Sequence, residues 1–222
     1  MASNTRLIGV ALLILFPRTA PAQFVSQHAL DVRFLNDEQT QRWVVEALSE
    51  GLPDYKIDEL DFLALNHQPV VIPLLENRLM QEVGHSAASQ GYARKLSDAL
   101  SYTASRAAIS RFACLVEAGE QHFGYYIGRT LDYAVGRGNP YQLVYDAVDL
   151  GSRAVTDRVI KWVEQSISSS GQSRQAQLLA AAANRQGRPI SKEFFDSDPV
   201  LSRLHPDILD SLRQRSTQIL PK

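Results

Sequence analysis

Residues 57–79 read IDELDFLALNHQPVVIPLLENRL, and the fold follows from this stretch. Apolar residues return at three and four positions, Leu60 to Ala64 and Phe62 to Leu65, which is the period of one helical face. The polar corner Asn66-His67-Gln68-Pro69 then interrupts the pattern. Pro69 suits the opening of a second helix, where its missing N–H has no intrahelical partner to lose. Pro73 falls about one turn further on, removes a backbone bond and is expected to bend that turn. The stretch therefore reads as two short helices joined by a tight corner.

The same period continues on both sides, without the sustained alternation of a half-buried strand, so the expected fold is all-α with no sheet. Upstream, Asn36 or Asp37 caps a helix that runs through Trp43, Val44, Ala47 and Leu48 to Gly51. The spacing predicts further helices over 57–66, 70–82, 92–101, 105–120, 125–136, 141–150, 153–168 and 174–186. Residues 166–173 (SISSSGQS) read as a flexible loop. Downstream, Asp198-Pro199 and Pro206 each open a short helix, and residues 187–222 are expected to cap the end of the array.

Pairs of short helices prompt a search for repeats, and one emerges when Leu60, Leu100, Leu143 and Leu178 are aligned, at spacings of 40, 43 and 35 residues. Two positions on stand Phe62, Tyr102, Tyr145 and Ala180; four positions on stand Ala64, Ala104, Ala147 and Ala182. An alanine at the same point of each first helix lets the second helix approach closely, while large neighbours fill the layer between pairs. On these residues the chain, over about 54–186, resembles the HEAT-repeat family of α-solenoids. The resemblance implies a right-handed superhelical stack of helix pairs and a binding role; an irregular multi-helix bundle is the alternative that periodicity alone leaves open.

The first 22 residues carry an address. Arg6 precedes an unbroken apolar run, Leu7 to Phe16, and Ala20-Pro21-Ala22 offers the small-x-small pattern that signal peptidases accept. The run is too short to span a bilayer as a helix, which needs about 20 residues. A cleaved signal over 1–22 is expected, then a single helical domain over 23–222 in the bacterial periplasm or outside the cell. The only cysteine, Cys114, cannot make an intrachain disulfide and, beside Phe112, Leu115 and Val116, reads as a small core residue. The leader holds Arg6 and Arg18 and no acid, so 23 basic residues fall to 21 against 24 acidic ones. With the charges interleaved and no basic block, a nucleic-acid partner is not expected.

Catalytic signatures are absent: no His-Glu-x-x-His, no Gly-x-Ser-x-Gly and no phosphate-cradling glycine loop. Glu82-x-x-His85 has the spacing of a helical carboxylate–imidazole pair, but a di-iron centre needs two copies, and Gly84 signals a helix end. His67 reads as a corner histidine bonding a helix end. No catalytic residue, cofactor or metal is therefore expected. Tyrosine alone is clustered: Tyr126, Tyr133, Tyr141 and Tyr145 fall near Arg129. Two readings stand side by side, a half-buried helical stripe and a recognition face for a protein or peptide, since tyrosine and arginine combine apolar bodies with polar ends. The expected function is a non-catalytic binding scaffold, with an enzyme or small-ligand-binding domain assembled from distant helices as the alternative. Mass spectrometry of the protein exported from a secreting host should find the N-terminus at or within a few residues of Gln23; an intact Met1 would contradict the leader.

Overall fold

The computed structural model describes residues 32–83, 87–138, 140–187 and 190–219. The leader, His28 and His85 lie outside them. Among the described residues the chain forms helices α1 (Asp37–Ser49), α2 (Ile57–Asn66), α3 (Gln68–Glu82), α4 (Ala87–Tyr102), α5 (Arg106–Glu117), α6 (Gly124–Val135), α7 (Pro140–Val148), α8 (Arg153–Ser170), α9 (Gln172–Gln186), α10 (Lys192–Ser197) and α11 (Pro206–Ile219), with no strand. None of these helices is long and apolar enough to cross a membrane.

Local chemistry sets the helix starts. Asn36 accepts from the Gln39 N–H while the Gln39 side chain accepts from the Asn36 N–H, a reciprocal cap on α1. Ser105, Ser152 and Ser191 each accept a backbone N–H at the starts of α5, α8 and α10. His67 lies in the α2–α3 corner, and its Nδ1 is 3.0 Å from Oδ1 of Asp37, the first residue of α1, so it does bond a helix end. α3 runs unbroken through Pro73. The bond forfeited there is the one to the carbonyl of Pro69, near the helix start.

Packing sorts the helices into two layers. α2, α4, α6 and α8 lie side by side in one, α1, α3, α5, α7 and α9 in the other, and from α2 onward each helix also packs on its chain neighbours in the opposite layer. Between the layers runs one apolar core, built from residues such as Leu60, Leu75, Leu96, Phe112, Tyr145 and Val159.

Several expectations are corrected by these contacts. Residues 166–170 are helical and Gly171, at φ 61°, alone separates α8 from α9, because Ile167 is buried and the hydroxyls of Ser168 and Ser169 bond back to carbonyls of their own helix. Cys114 is exposed rather than buried. It lies about 200° around α5 from Phe112, opposite the core face. The segment before Asp198 forms α10, which buries Phe194 and Phe195, while Asp198 caps the 3-10 turn Leu201–Arg203. The aligned alanines differ in setting. Ala64, Ala147 and Ala182 are completely buried, whereas Ala104 stands in the α4–α5 corner at φ 48°. α2 and α4 belong to one layer, α7 and α9 to the other, so the spacing read from the sequence changes layer between the second and third units.

Because Ala147 has no exposed surface, Ala147→Leu should cost about 1 to 3 kcal/mol by overpacking. Ser168→Leu, at an exposed position of α8, should cost under about 0.5 kcal/mol. Chemical denaturation of the two variants beside wild type measures the difference.

Candidate functional site

Helical geometry sends the expected tyrosines to different places. Tyr141 and Tyr145, on α7, have no exposed surface, and Tyr126 on α6 is only 6% exposed, stacked on Phe112 at 5.5 Å. These three belong to the core, so the face expected from the sequence keeps only Arg129 and Tyr133, both half-exposed. Tyr145 donates to the fully buried carboxylate of Asp198, whose oxygens also accept from Gln186 and from the N–H groups of Val200 and Leu201. That tyrosine ties the C-terminal segment to α7.

Around Arg129 the layer of α2, α4, α6 and α8 carries a continuous polar and aromatic ridge. One guanidinium nitrogen donates to the Tyr125 hydroxyl at 3.2 Å and another to the Tyr133 hydroxyl at 2.6 Å. Its Nε lies 3.1 Å from Asp98 Oδ1 on α4, off the line of a hydrogen bond, so that contact is charge attraction. The Tyr125 hydroxyl, with help from Asp98 and Tyr133, holds the guanidinium even more firmly protonated than usual, against the opposing effect of burial. Tyr133 meets Tyr102 edge-on at 4.9 Å, and the Arg137 guanidinium lies 4.7 Å over the Tyr102 ring. On α8, Trp162 donates its indole N–H to Asp132 at 2.8 Å.

The ridge ends on α2 at Asp61. Its carboxyl is pushed up to about 6, mainly by burial and then by the like charges of Asp58 and Asp98, despite the nearby Arg129 and Arg137. Burial also raises Asp98, against the pull of Arg129.

Beside the ridge opens a groove of about 620 Å³, lined by Glu82, Val83, Gln90, Ala93, Arg94, Glu120, His122, Phe123, Tyr125 and Tyr126. Tyr125, 60% exposed, stands between this groove and a shallower hollow over Arg129, Tyr133 and Trp162. Glu82 pairs with Arg78 at 2.6 Å, and His122 Nδ1 lies 3.5 Å from Glu120. Among the described residues no group of three or more His, Cys, Asp and Glu side chains is placed to hold a metal ion.

Sequence reading missed Asp61, Asp98, Tyr102 and Trp162 as neighbours of Arg129, and Arg94 as a groove residue. A signal existed: Asp61, Asp98, Arg129 and Trp162 follow one another at 37, 31 and 33 positions, the spacing of successive helices within one layer. Against family models, curated proteins and solved structures alike, the chain finds no match.

The raised carboxyl of Asp61 fixes the sign of a pH effect. Below its unfolded value of 3.8 the group is protonated in both states; between that value and about 6 the folded chain holds the proton more tightly; above, the ionised group opposes folding. Stability should therefore fall as pH rises through this window. Asp61→Asn should be about 1 kcal/mol more stable than wild type near pH 7.5, after discounting for solvent screening, and no more stable near pH 4. Urea unfolding at both pH values checks it.

Proposed function

We propose that this chain is an exported, non-catalytic helical scaffold of HEAT-like character that binds a protein or peptide along the ridge of α2, α4, α6 and α8. The observation that carries the reading is the half-exposed band of Asp98, Tyr102, Arg129, Tyr133 and Trp162, in which aromatic rings and charged groups from three successive helices of one layer hold each other in place. Two features of this band favour recognition over plain solvation. Its tyrosines and arginine are of the types that dominate binding energy at protein interfaces. They are also fixed by mutual contacts, so little side-chain freedom remains to be lost when a partner docks.

The two-layer order of the helices supports the HEAT-like element of the reading, since a stack in which each helix meets only near neighbours offers a long face assembled from equivalent positions. Export rests on the leader read in the sequence, and a periplasmic or extracellular protein is the partner expected.

Tyr133→Ala and Trp162→Ala test the proposal. Each should weaken the partner complex by about 2 kcal/mol. Tyr141→Ala, deep in the core, should instead lose about 3 to 5 kcal/mol of stability. Affinity capture from the native envelope fraction, with wild type and each ridge variant compared in parallel, should retain a specific protein on wild type and release it from the variants. Retention by both ridge variants at wild-type level would remove the ridge from the interface.

A further inference from the structure

Two glycines stand four residues apart on α6, and only one of them has a part in packing. A side chain at Gly124 would displace the Arg158 guanidinium, which reaches from α8 to the carbonyl and side chain of Gln121. At Gly128 a methyl group would meet only the edge of the Trp162 ring, at 3.9 Å, an ordinary contact. Gly128 also lies inside α6 without a positive φ, and a helix interior favours alanine over glycine. Neither backbone conformation nor packing therefore asks for glycine at 128. What its missing side chain does is leave open the floor of the hollow lined by Tyr125 and Trp162.

That hollow, of about 460 Å³, has walls whose positions are already fixed. The Tyr125 hydroxyl accepts from Arg129 at 3.2 Å, and the Trp162 indole is held on Asp132 at 2.8 Å. A guanidinium only donates, so the hydroxyls of Tyr125 and Tyr133 both accept from Arg129, and each keeps its own proton to donate elsewhere. Those two donors suit acceptors on a ligand. The charges of the lining balance, because Arg129 and Asp132 both border the hollow. A cationic side chain entering it would meet Arg129, and an anionic one would meet Asp132. An uncharged ligand with compact apolar rings and unengaged carbonyls meets no such opposition.

A proline-rich segment has this chemistry. Its rings are apolar, its prolines carry no N–H to leave unpaired, and no internal hydrogen bond occupies the carbonyls of a polyproline II helix. Surfaces lined by aromatic rings take such segments with little ordering cost, since the helix is preformed. We propose that the hollow over Gly128 takes one turn of a proline-rich segment of the partner. A proline ring lies over Gly128 against Tyr125 and Trp162, and neighbouring carbonyls accept from the Tyr125 and Tyr133 hydroxyls. This occupant rests on the reading of the ridge as a protein- or peptide-binding face, and it adds the partner's chemistry.

Nuclear magnetic resonance of the isotope-labelled mature chain tests it with two end-blocked probes, decaproline and a glycine–serine decapeptide. The indole N–H resonance of Trp162, assigned by its loss in Trp162→Phe, should shift on addition of decaproline, while that of Trp43 on α1 should not. Decaproline should bind at least about tenfold more tightly than the glycine–serine peptide, which must be ordered on binding. Gly128→Leu, which fills the hollow, and Tyr125→Ala, which removes a wall, should each weaken decaproline by about tenfold or more. Gly128→Ala should leave Tm unchanged or raised, because alanine favours the helix and displaces nothing. An unmoved Trp162 resonance, equal affinity for the two peptides, wild-type affinity in both Gly128→Leu and Tyr125→Ala, or a lowered Tm in Gly128→Ala would overturn the proposal. Competition separates this hollow from the wider ridge. If Tyr133→Ala and Trp162→Ala release a captured protein that decaproline does not displace, the ridge stands and the proline site falls. If decaproline binds as stated while both variants retain the protein, the proline site stands and that protein binds elsewhere.

Discussion

The close approach of α4 and α6 is the constraint on which both surface features depend. Ser97 and Ser101 on α4 and Thr130 on α6 are completely buried, and a bulkier residue at any of them would push the helices apart. Burying three hydroxyls would be unfavourable if they lacked partners. Each instead donates to a carbonyl of its own helix, Ser97 to Ala93, Ser101 to Ser97 and Thr130 to Tyr126, all at 2.7 Å. The interface is therefore thin without being polar in effect. Ser101 also reaches across, 3.4 Å from the Tyr126 carbonyl. At this separation Arg129 can meet Asp98, and Tyr133 can meet Tyr102. On the other side of the same contact, Tyr126 and Ala93 become walls of one groove.

The ridge holds charge where the fold gains little from it. Asp61 and Asp98 both sit in surroundings that disfavour their ionised forms, and the guanidinium nearest them is already engaged by two tyrosine hydroxyls. A layer built only for stability would carry apolar or fully solvated residues at such positions. Keeping carboxylates partly desolvated makes their interaction with any further cation stronger, since the intervening dielectric is lower than in water. Stability and recognition thus pull against each other on α2 and α4.

The fold was largely legible because period and capping are local signals. The corner at Asn66 to Pro69, the start of α1 at Asn36 and the glycine end of α9 at Gly187 all lie where short-range chemistry puts them. The expectations that failed were those decided by distant contacts. A serine-rich run looks like a loop until Ile167 finds the core, and Cys114 looks buried until the direction of the α5 core face is known. The repeat spacing was visible, but which layer a helix joins depends on how its neighbours cross, and the alignment slipped from one layer to the other between α4 and α7. The site was less legible still. Arg129 and Tyr133 lie four residues apart and could be paired from the sequence, whereas Asp61, Asp98 and Trp162 come from three other helices.

The tyrosines show why residue type alone could not place the site. Tyr145, Tyr126 and Tyr133 share a ring and a hydroxyl, and the hydroxyl's partner separates their roles. Tyr145 is buried with its hydroxyl on Asp198, a contact that fastens the last helices to α7 and that a ligand could reach only by unfolding them. Tyr133 is half-exposed with its hydroxyl on Arg129, so its ring edge remains available while its position is fixed. Tyr126 is largely buried like Tyr145, yet it lines a groove and its hydroxyl makes no hydrogen bond among the described residues. In Tyr145 the polar end serves the fold, in Tyr133 it steadies a surface, and in Tyr126 it is left at the groove. What Tyr126 gives the fold is therefore its ring, stacked on Phe112 at 5.5 Å to keep water out of the core, while its polar end stays at the groove where solvent can reach it.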